Sequence, residues 1–311
     1  MQSGDIDQKK WGLVSTLGAI FLLGGNGYFA KDLELDVLNI IMIRSFIAFL
    51  VIYVAVKLFR AKLALNSKQD YLICLLIGVL LGAHWLSFFY SMRVSTVTLG
   101  MTALYSYPMM TLILERLFFK KTIPKIDWLL APLVLVGVWM MGASESVQGA
   151  DNVLGAVVGV FSALCFAARN LLQQTYLKGY PAHHTIFYQT LAIALVLLPF
   201  SLSQTSSVES IITTSHEWWL WIVLGIFFTA LPHSLMAFGI QSLGAKSVAF
   251  IGCLQPAIGT LIAYLILGEF ASYQVFAGAG IVMICAGVEI ARSSSGQSAR
   301  SSVSKKSAVS N

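Results

Sequence analysis

Long apolar windows follow one another along the chain and are separated by short polar connections. A helix needs about 17–25 residues to cross the hydrocarbon core of a bilayer. Ten windows meet that length, near residues 11–30, 37–57, 71–92, 96–117, 127–143, 153–175, 184–202, 218–240, 247–267 and 273–291. A β-barrel would show short alternating segments instead. The pattern therefore predicts an all-α integral membrane protein with ten transmembrane helices.

The composition supports a surface that contacts membrane lipid. Of the 311 residues, 57% are hydrophobic and 11% are charged, whereas an ordinary soluble domain has about 25% charged residues. A soluble chain of this size would need a polar coat around its core, and this chain has too few polar residues to form one.

Lysine and arginine residues are distributed unequally between the two sets of connections. If the N-terminus is cytoplasmic, the outer connections contain just Lys31 and Arg93. The inner segments contain Lys9, Lys10, Lys57, Arg60, Lys62, Lys68, Arg116, Lys120, Lys121, Lys125, Lys178, Lys246, Arg292, Arg300, Lys305 and Lys306. This asymmetry follows the positive-inside rule for an even number of spans. We therefore expect a bacterial inner (plasma) membrane protein with both termini in the cytoplasm. The net charge of +6 reflects this topology and gives no reason to expect a nucleic-acid partner.

Motifs for catalysis, metal binding and cofactor binding are weak or missing in the sequence. Cys74, Cys165, Cys253 and Cys285 lie singly within apolar windows, which is typical of packing residues. The stretch from Gly239 to Ser247 resembles a phosphate-binding loop, but an extra alanine breaks the spacing and no strand precedes it. We therefore expect no enzyme activity, no metal and no cofactor.

Two apolar windows share a proline in matching surroundings. Tyr107-Pro108 lies in one window and Gln255-Pro256 in another, at an offset of 256 − 108 = 148. Other pairs follow in the same order at offsets between 143 and 150: Gly12 and Gly155, Asn26 and Arg169, Arg44 and Gln189, His84 and His233, Gly137 and Gly287. The sequence thus predicts two five-helix repeats, residues 1–146 and 147–292, followed by a disordered cytoplasmic tail over residues 293–311.

Because five is an odd number, the second repeat would enter the membrane from the opposite side. Inverted repeats of this kind are typical of secondary transporters, in which one half rocks against the other. A duplicated bundle that serves as an inert scaffold is the alternative.

The chain resembles the EamA family of the drug/metabolite transporter superfamily over about residues 11–291. The resemblance rests on the 5+5 layout and on three stretches: "RSFIAFL", "SMRVSTVTLGMTALYSYPMMTLILE" and "SLGAKSVAFIGCLQPAIGTLIAYLILGE". Leu267-Gly268-Glu269 matches the ending of the family's repeated helix, whereas Phe119-Lys120-Lys121 departs from it at the inner surface. The resemblance implies an EamA-like fold and transport of small metabolites, most typically export.

The two prolines predict weak points at equivalent depths of the fourth and ninth helices. Proline removes one backbone hydrogen bond, so the helix bends or loosens there, and Pro108 and Pro256 are candidate gating or kink positions. Tyr107 and Gln255, which precede them, are candidates for substrate binding. Packing kinks without ligand contact are the alternative.

Charged and polar residues at membrane depth are the further candidates, because their burial is costly unless they are used or paired. Arg44 and Arg169 could hold a substrate carboxylate or lock helices together. His84 and His233 could bind substrate, take part in proton coupling or serve as core residues. Thr98, Thr102 and Tyr105 share one face of the fourth helix, lining water or bonding a neighbouring helix.

Three aromatic residues, Trp85, Tyr90 and Tyr107, could form a wall of the site or serve in ordinary packing. Glu115 lies near Arg116, Lys120 and Lys121 and predicts an ion pair or a gate at the inner surface. Glu289 and Arg292 are spaced to pair at the end of the last helix.

These observations predict a secondary transporter of small metabolites, most typically an exporter of amino acids or related amphipathic compounds. Uptake of a metabolite or vitamin is the alternative within transport. An intramembrane enzyme or a receptor would be a different class, and neither a cluster of catalytic groups nor a large soluble domain supports it. The partners to expect are a small-molecule substrate and membrane lipid, with protons as the candidate coupling ion and a homodimer as the candidate assembly.

Overall fold

A computed structural model of the chain describes residues 3–24, 36–95, 97–142, 151–203, 218–258 and 273–309. Regular secondary structure in these ranges is helical. The α-helices are α1 (Ser3–Leu23), α2 (Val37–Leu58), α3 (Lys68–Val94), α4 (Val97–Leu104), α5 (Tyr107–Phe118), α6 (Lys125–Gly142), α7 (Asn152–Tyr176), α8 (Ala182–Ser203), α9 (Trp218–Gly225), α10 (Leu231–Leu243), α11 (Ala245–Gly252) and α12 (Tyr273–Val309). A π-helical turn, Ile226–Ala230, joins α9 to α10.

Six helical segments in the described residues are long and apolar enough to cross a membrane. They are Val37–Leu58, Lys68–Val94, Asn152–Tyr176, Ala182–Ser203, Trp218–Leu243 and Tyr273–Arg292. Large apolar side chains such as Phe21, Leu129 and Ile284 are well exposed on the outer surface of the bundle, where lipid would cover them. The chain is therefore a multi-pass membrane protein.

The other four predicted spans fall on α1, on α6 and on two interrupted helices. The first falls on α1, and residues 25–30 of that window lie outside the described ranges. The fourth is divided into α4 and α5, the fifth corresponds to α6, and the ninth begins with α11.

The fourth and ninth spans are interrupted immediately before their prolines. Helix α4 ends at Leu104, and α5 starts again at Tyr107; α11 ends at Gly252, and a turn at Cys253-Leu254 follows. In both turns the backbone tightens, with Ser106 N bonded to Ala103 O at 3.2 Å and Cys253 N to Phe250 O at 3.3 Å. Proline causes this because Pro108 and Pro256 have no N–H to donate to the carbonyl four residues earlier.

The eighth span contains the π-helical turn for a related reason. Pro232 cannot donate to the carbonyl of Phe228, which lies four residues earlier, and the backbone widens so that Leu231 N bonds to Ile226 O. The hydroxyl of Thr229 donates to Leu224 O at 2.7 Å within the same turn. The carbonyl of Phe228 therefore receives no backbone N–H from Pro232, and it accepts a bond from Arg44 of another helix.

Helices of the two predicted halves pack against each other throughout the bundle. Helix α3 packs along α7 and α1 along α10, while α2 lies against α8 and α6 against α12. Small residues permit the close approach. A methyl group at Gly12 would lie 2.5 Å from Cβ of Ser242, and one at Gly155 would overlap the side chain of Ser95.

The lysine-rich connections meet at one end of the bundle, which we call the basic end: residues 59–67, 119–124 and 177–181, together with Gly244. Tyr180 joins three elements of the basic end. The hydroxyl of Tyr180 accepts from Asn66 N and donates to Asp70, and the carbonyl of Tyr180 accepts from Gln241. Ser67 and Asp70 form a capping box that starts α3. The common end agrees with the predicted grouping of these connections on one side of the membrane.

Helix α12 continues without interruption to Val309. Its second half therefore occupies the residues for which the sequence predicts a disordered tail. This segment has no proline and a single glycine, Gly296, so no residue in it imposes a break on the helical path. The four cysteines are buried and free, in agreement with their predicted role in packing.

Candidate functional site

A small cavity lies at the level of the interrupted helices. Its volume is about 40 Å³, and it is bordered by side chains of α1, α2, α3, α4, α5, α7, α10 and α11. Six of the residues predicted to bind substrate line this cavity: Arg44, His84, Tyr105, Tyr107, His233 and Gln255. Residues from both predicted halves therefore meet at one place.

Arg44 is buried and is held by the π-helical turn. Its Nε donates to the hydroxyl of Thr229 at 3.0 Å, and its Nη2 donates to the carbonyl of Phe228 at 3.0 Å. The guanidinium also lies over the ring of Trp85, 4.5 Å from the centroid. Its Nη1 has no hydrogen-bond partner in the described structure. Arg44 thus donates to a carbonyl that receives no N–H from Pro232, and it keeps one donor group without a partner in the described structure.

His84 is oriented by a serine of the second half. The hydroxyl of Ser162 donates to the backbone carbonyl of His84 at 3.0 Å, so its oxygen accepts the 2.8 Å bond from His84 Nδ1. The ring stacks on Phe166 with centroids 4.5 Å apart. With the proton on Nδ1, the neutral ring keeps Nε2 as an acceptor.

His233 occupies the matching position in the other half without a matching partner. Its ring meets the edge of Trp85 at a centroid distance of 5.0 Å, and neither ring nitrogen has a hydrogen-bond partner among the described residues. The offset of 143 that relates Gly12 to Gly155 places Ala19 at the equivalent of Ser162, so the orienting hydroxyl is missing from the sequence there.

The residues before the two prolines make contacts across the cavity. The hydroxyl of Tyr107 donates to Ala249 O at 2.7 Å, and a methyl group at Gly252 would overlap that hydroxyl. Gln255 donates from Nε2 to Leu23 O at 2.9 Å, at the end of α1. The two interrupted helices are thus tied to each other and to α1 at the cavity.

Arg169 lies apart from the cavity-lining set. Its Nε donates to Gln189 at 2.7 Å and its Nη1 to Asn170 at 2.8 Å, while Gln189 bonds in turn to Thr185 O at 3.0 Å. The side chain is fully buried in this amide-rich cluster between α7 and α8, and its Nη2 has no described partner.

Thr102, predicted beside Tyr105, is not among the described residues that line the cavity. Thr102 has a buried hydroxyl without a partner, and the side chain of Thr98 lies outside the described residues. The predicted aromatic wall holds in part: Trp85 and Tyr107 border the cavity, whereas Tyr90 is 47% exposed on the outer surface of α3.

Sequence reasoning missed four residues that shape the site: Phe89, Ser162, Phe166 and Thr229. A usable signal existed for Thr229, because it follows Phe228, to whose carbonyl Pro232 cannot donate an N–H. Ser162 and Phe166 share one face of α7 at i, i+4 spacing, but nothing local in the sequence indicates that this face meets His84.

An ion-pair network closes the basic end. Buried Asp127 pairs with Lys246 at 3.1 Å and with Arg292, and buried Glu289 pairs with Lys246 at 3.2 Å and with Arg292 at 3.7 Å. The predicted pair of Glu289 and Arg292 is thus confirmed. Glu115 pairs with Lys121 at 2.5 Å beside a second cavity of about 250 Å³.

A multi-pass helical protein whose polar interior site lies between two interrupted helices has the arrangement of membrane transporters. A sequence profile of the EamA-like transporter family matches residues 10–143 and 153–290. The match covers most of the chain, which therefore belongs to the EamA-like transporter family and is a membrane transporter.

Individual relatives agree with this assignment. An uncharacterized transporter of Archaeoglobus fulgidus is 26% identical over 286 residues, covering 91% of this chain and 96% of the relative. An uncharacterized transporter of Synechocystis sp. is 25% identical over 208 residues, covering 64% and 60%. A solved structure described as "Crystal structure of protein" matches 89% of this chain and 95% of its own with a TM-score of 0.74 and 13% identity, which shows the shared fold alone.

Proposed function

We propose that this chain is a secondary transporter that exports small amphipathic metabolites, such as amino acids or related compounds, by alternating access. The observation that carries the proposal is the convergence of Arg44, His84, Tyr107, His233 and Gln255 on one cavity beside two helix interruptions. Charged, imidazole and phenol groups next to aromatic rings suit a ligand with a polar head and an apolar body.

Ten spans in two inverted repeats provide the architecture for this mechanism. The family profile matches the chain in two consecutive stretches, which supports an internal repeat. The packing supports it as well. In the predicted repeat α3 corresponds to α10 and α7 corresponds to α1, and both α3 with α7 and α10 with α1 are packed pairs. One contact of each kind joins a glycine to a serine: Gly155 meets Ser95, and Gly12 meets Ser242. The two glycines are related by an offset of 155 − 12 = 143 and the two serines by 242 − 95 = 147.

Alternating access also explains the size of the cavity. A volume of about 40 Å³ is far below the roughly 300–1,000 Å³ typical of small-molecule sites. Substrate entry therefore needs helix movement, and the turns before Pro108 and Pro256 are where these helices bend most easily. The bond from Tyr107 to Ala249 ties the two interrupted helices together in this conformation and would have to change if they move apart.

We place the protein in a bacterial inner (plasma) membrane with the basic end and both termini in the cytoplasm. The positive-inside rule supports this orientation. Protons are the proposed coupling ion, with His84 and His233 as the candidate carriers. A homodimer and the carboxylate contact of Arg169 remain predictions from the sequence.

A transport screen tests the function. Labelled amino acids and related compounds are offered to inside-out membrane vesicles that contain the protein, with and without an imposed pH gradient. Export predicts accumulation of at least one compound above vesicles without the protein, whereas uptake of a metabolite or vitamin predicts accumulation in right-side-out vesicles.

Two glycine variants link the transport to the cavity. Gly252→Ala forces the Tyr107 hydroxyl away from Ala249 and should reduce accumulation, while Gly280→Ala meets no atom within 4 Å and should leave it unchanged. Equal accumulation by wild type and Gly252→Ala would show that the transport pathway lies elsewhere.

A further inference from the structure

The positive charge of Arg44 has no carboxylate to balance it in the described structure. The buried carboxylates that the structure describes, Glu115, Asp127 and Glu289, form their ion pairs with lysine or arginine at the basic end. Arg44 is buried and bonds to two neutral oxygens. The rings of Trp85 and Phe89, with centroids 4.5 and 5.8 Å from its guanidinium carbon, offset part of the cost. A buried charge in a membrane protein is costly unless other groups balance it, and an anion in the cavity would balance the charge of Arg44.

Unpartnered polar groups accompany Arg44 around the same cavity. They are Nη1 of Arg44, the hydroxyl of Tyr105 and both ring nitrogens of His233, each buried without a hydrogen-bond partner. All three residues line the cavity. A guanidinium, a phenol and one N–H of a neutral imidazole can all donate to an acceptor. Buried donors of this kind are costly when they stay unpaired, so the set favours a negatively charged ligand.

The π-helical turn determines which arm of Arg44 is left for that ligand. Thr229 and Phe228 hold Nε and Nη2, and Pro232 has no N–H that could compete with Arg44 for the carbonyl of Phe228. The guanidinium is planar and rigid, so fixing two of its nitrogens also fixes the direction of the third. The first half has no proline at the matching position, which is Ala83 at the offset of 149 that relates His84 to His233. The proline that accompanies the π-helical turn is therefore present at this position in the second half and replaced by alanine in the first.

We propose that Arg44, Tyr105 and His233 form a binding site for a small monovalent anion, and that Thr229 and Pro232 are its positioning residues. The anion is either the carboxylate of a transported substrate or an inorganic anion such as chloride that accompanies transport. This inference rests on the proposed function for its biological meaning, but the anion binding itself does not require a transported substrate to be known.

The experiment measures the melting temperature of the purified full-length protein at constant ionic strength. Gluconate, which is too large for the cavity, is replaced stepwise by chloride in one arm and by acetate in the other. Specific binding raises the melting temperature as the anion concentration passes its dissociation constant. A shift with chloride assigns an inorganic anion, and a shift with acetate alone assigns a carboxylate.

Variants test the assigned residues. Arg44→Gln should abolish the shift, and Thr229→Val and Pro232→Ala, which keep the arginine, should each weaken the apparent affinity by about tenfold or more. Thr229→Ser should restore it. Matched controls are Thr190→Val, whose hydroxyl bonds to backbone carbonyls of its own helix, and Pro199→Ala, an exposed proline of α8.

No shift with either anion in the wild type would overturn the proposal, as would an equal shift in Arg44→Gln, Thr229→Val and Pro232→Ala. These outcomes differ from a failure of the proposed function, which would appear as a lack of transport with anion binding intact.

Discussion

Two buried arginines show how far single residues can be interpreted from the sequence. Both Arg44 and Arg169 were predicted at membrane depth, and both are buried. Their partners differ: Arg44 bonds to Thr229, 185 positions away, and faces the cavity, whereas Arg169 bonds to Gln189 and Asn170 in an amide cluster. Local sequence gives the depth of a side chain but not the helix that it will meet. His84 and His233, which an offset of 149 relates in the sequence, both line the cavity, although in the described structure the ring of His84 is hydrogen-bonded and that of His233 is not.

Arg169 is expected to stabilise the packing of α7 against α8. Arg169→Gln and Arg169→Lys remove or distort its bonds to Gln189 and Asn170 and should each cost about 1–3 kcal/mol of stability. Melting temperature and transport of a carboxylate substrate and its amide analogue are measured together. Equal effects on acid and amide fit the packing role. A loss of apparent affinity confined to the acid, with stability intact, would instead support the predicted contact of Arg169 with a substrate carboxylate.

At the scale of elements, three prolines account for the irregular helices. The positions of Pro108 and Pro256 predicted weak points in the fourth and ninth helices, and both helices are interrupted there. The π-helical turn before Pro232 was not predicted, because a proline inside a helix can cause a kink, a break or a wide turn. The choice depends on tertiary contacts, here the hydrogen bonds of Arg44 to Thr229 and Phe228.

Replacing Pro108 or Pro256, the prolines that follow the two helix interruptions, should slow transport. Pro108→Ala and Pro256→Ala supply an N–H that can bond to the carbonyl four residues earlier, worth about 1 kcal/mol. A straighter, stiffer helix should lower the turnover rate by about fivefold without lowering the amount of protein in the membrane. Initial transport rates are compared with those of Pro199→Ala, an exposed proline of α8. Normal turnover in both Pro108→Ala and Pro256→Ala would show that these prolines serve packing alone.

At the scale of the whole molecule, the sequence indicated much of the architecture but little of the ion-pair network that joins helices at the basic end. Composition and hydrophobic windows gave the membrane environment and the order of helices, and the lysine-rich connections lie together at the basic end as expected. The network that joins Asp127 of α6 to Lys246 and Glu289 of α11 and α12 was not predicted beyond the local pair of Glu289 and Arg292. Lys246 lies 119 residues from Asp127 and 43 residues from Glu289, so local sequence spacing cannot predict that they meet.

The basic-end network should be needed for stability. Asp127→Asn removes a buried charge that pairs with Lys246 and Arg292, and because these cations are partly exposed, the cost should be about 1–3 kcal/mol. Thermal unfolding of the purified protein measures it, with Lys125→Gln, an exposed cation at the start of α6, as the control. Asp127→Asn that is as stable as the control would show that the network contributes little.

The proposed mechanism requires one cavity to open in turn to either side of the membrane. Met236 lines that cavity, is 3% exposed and has no assigned contact with substrate. A cysteine is placed there in a variant that lacks the four native cysteines, and a membrane-impermeant maleimide is applied to right-side-out and inside-out vesicles. A cysteine at Ala48, which is buried away from the cavity, is the unreactive control. Alternating access predicts that a cysteine at position 236 reacts from both sides of the membrane. A transported substrate should change the two reaction rates in opposite directions. Reaction from one side under every condition, in a variant that still transports, would contradict alternating access at this cavity.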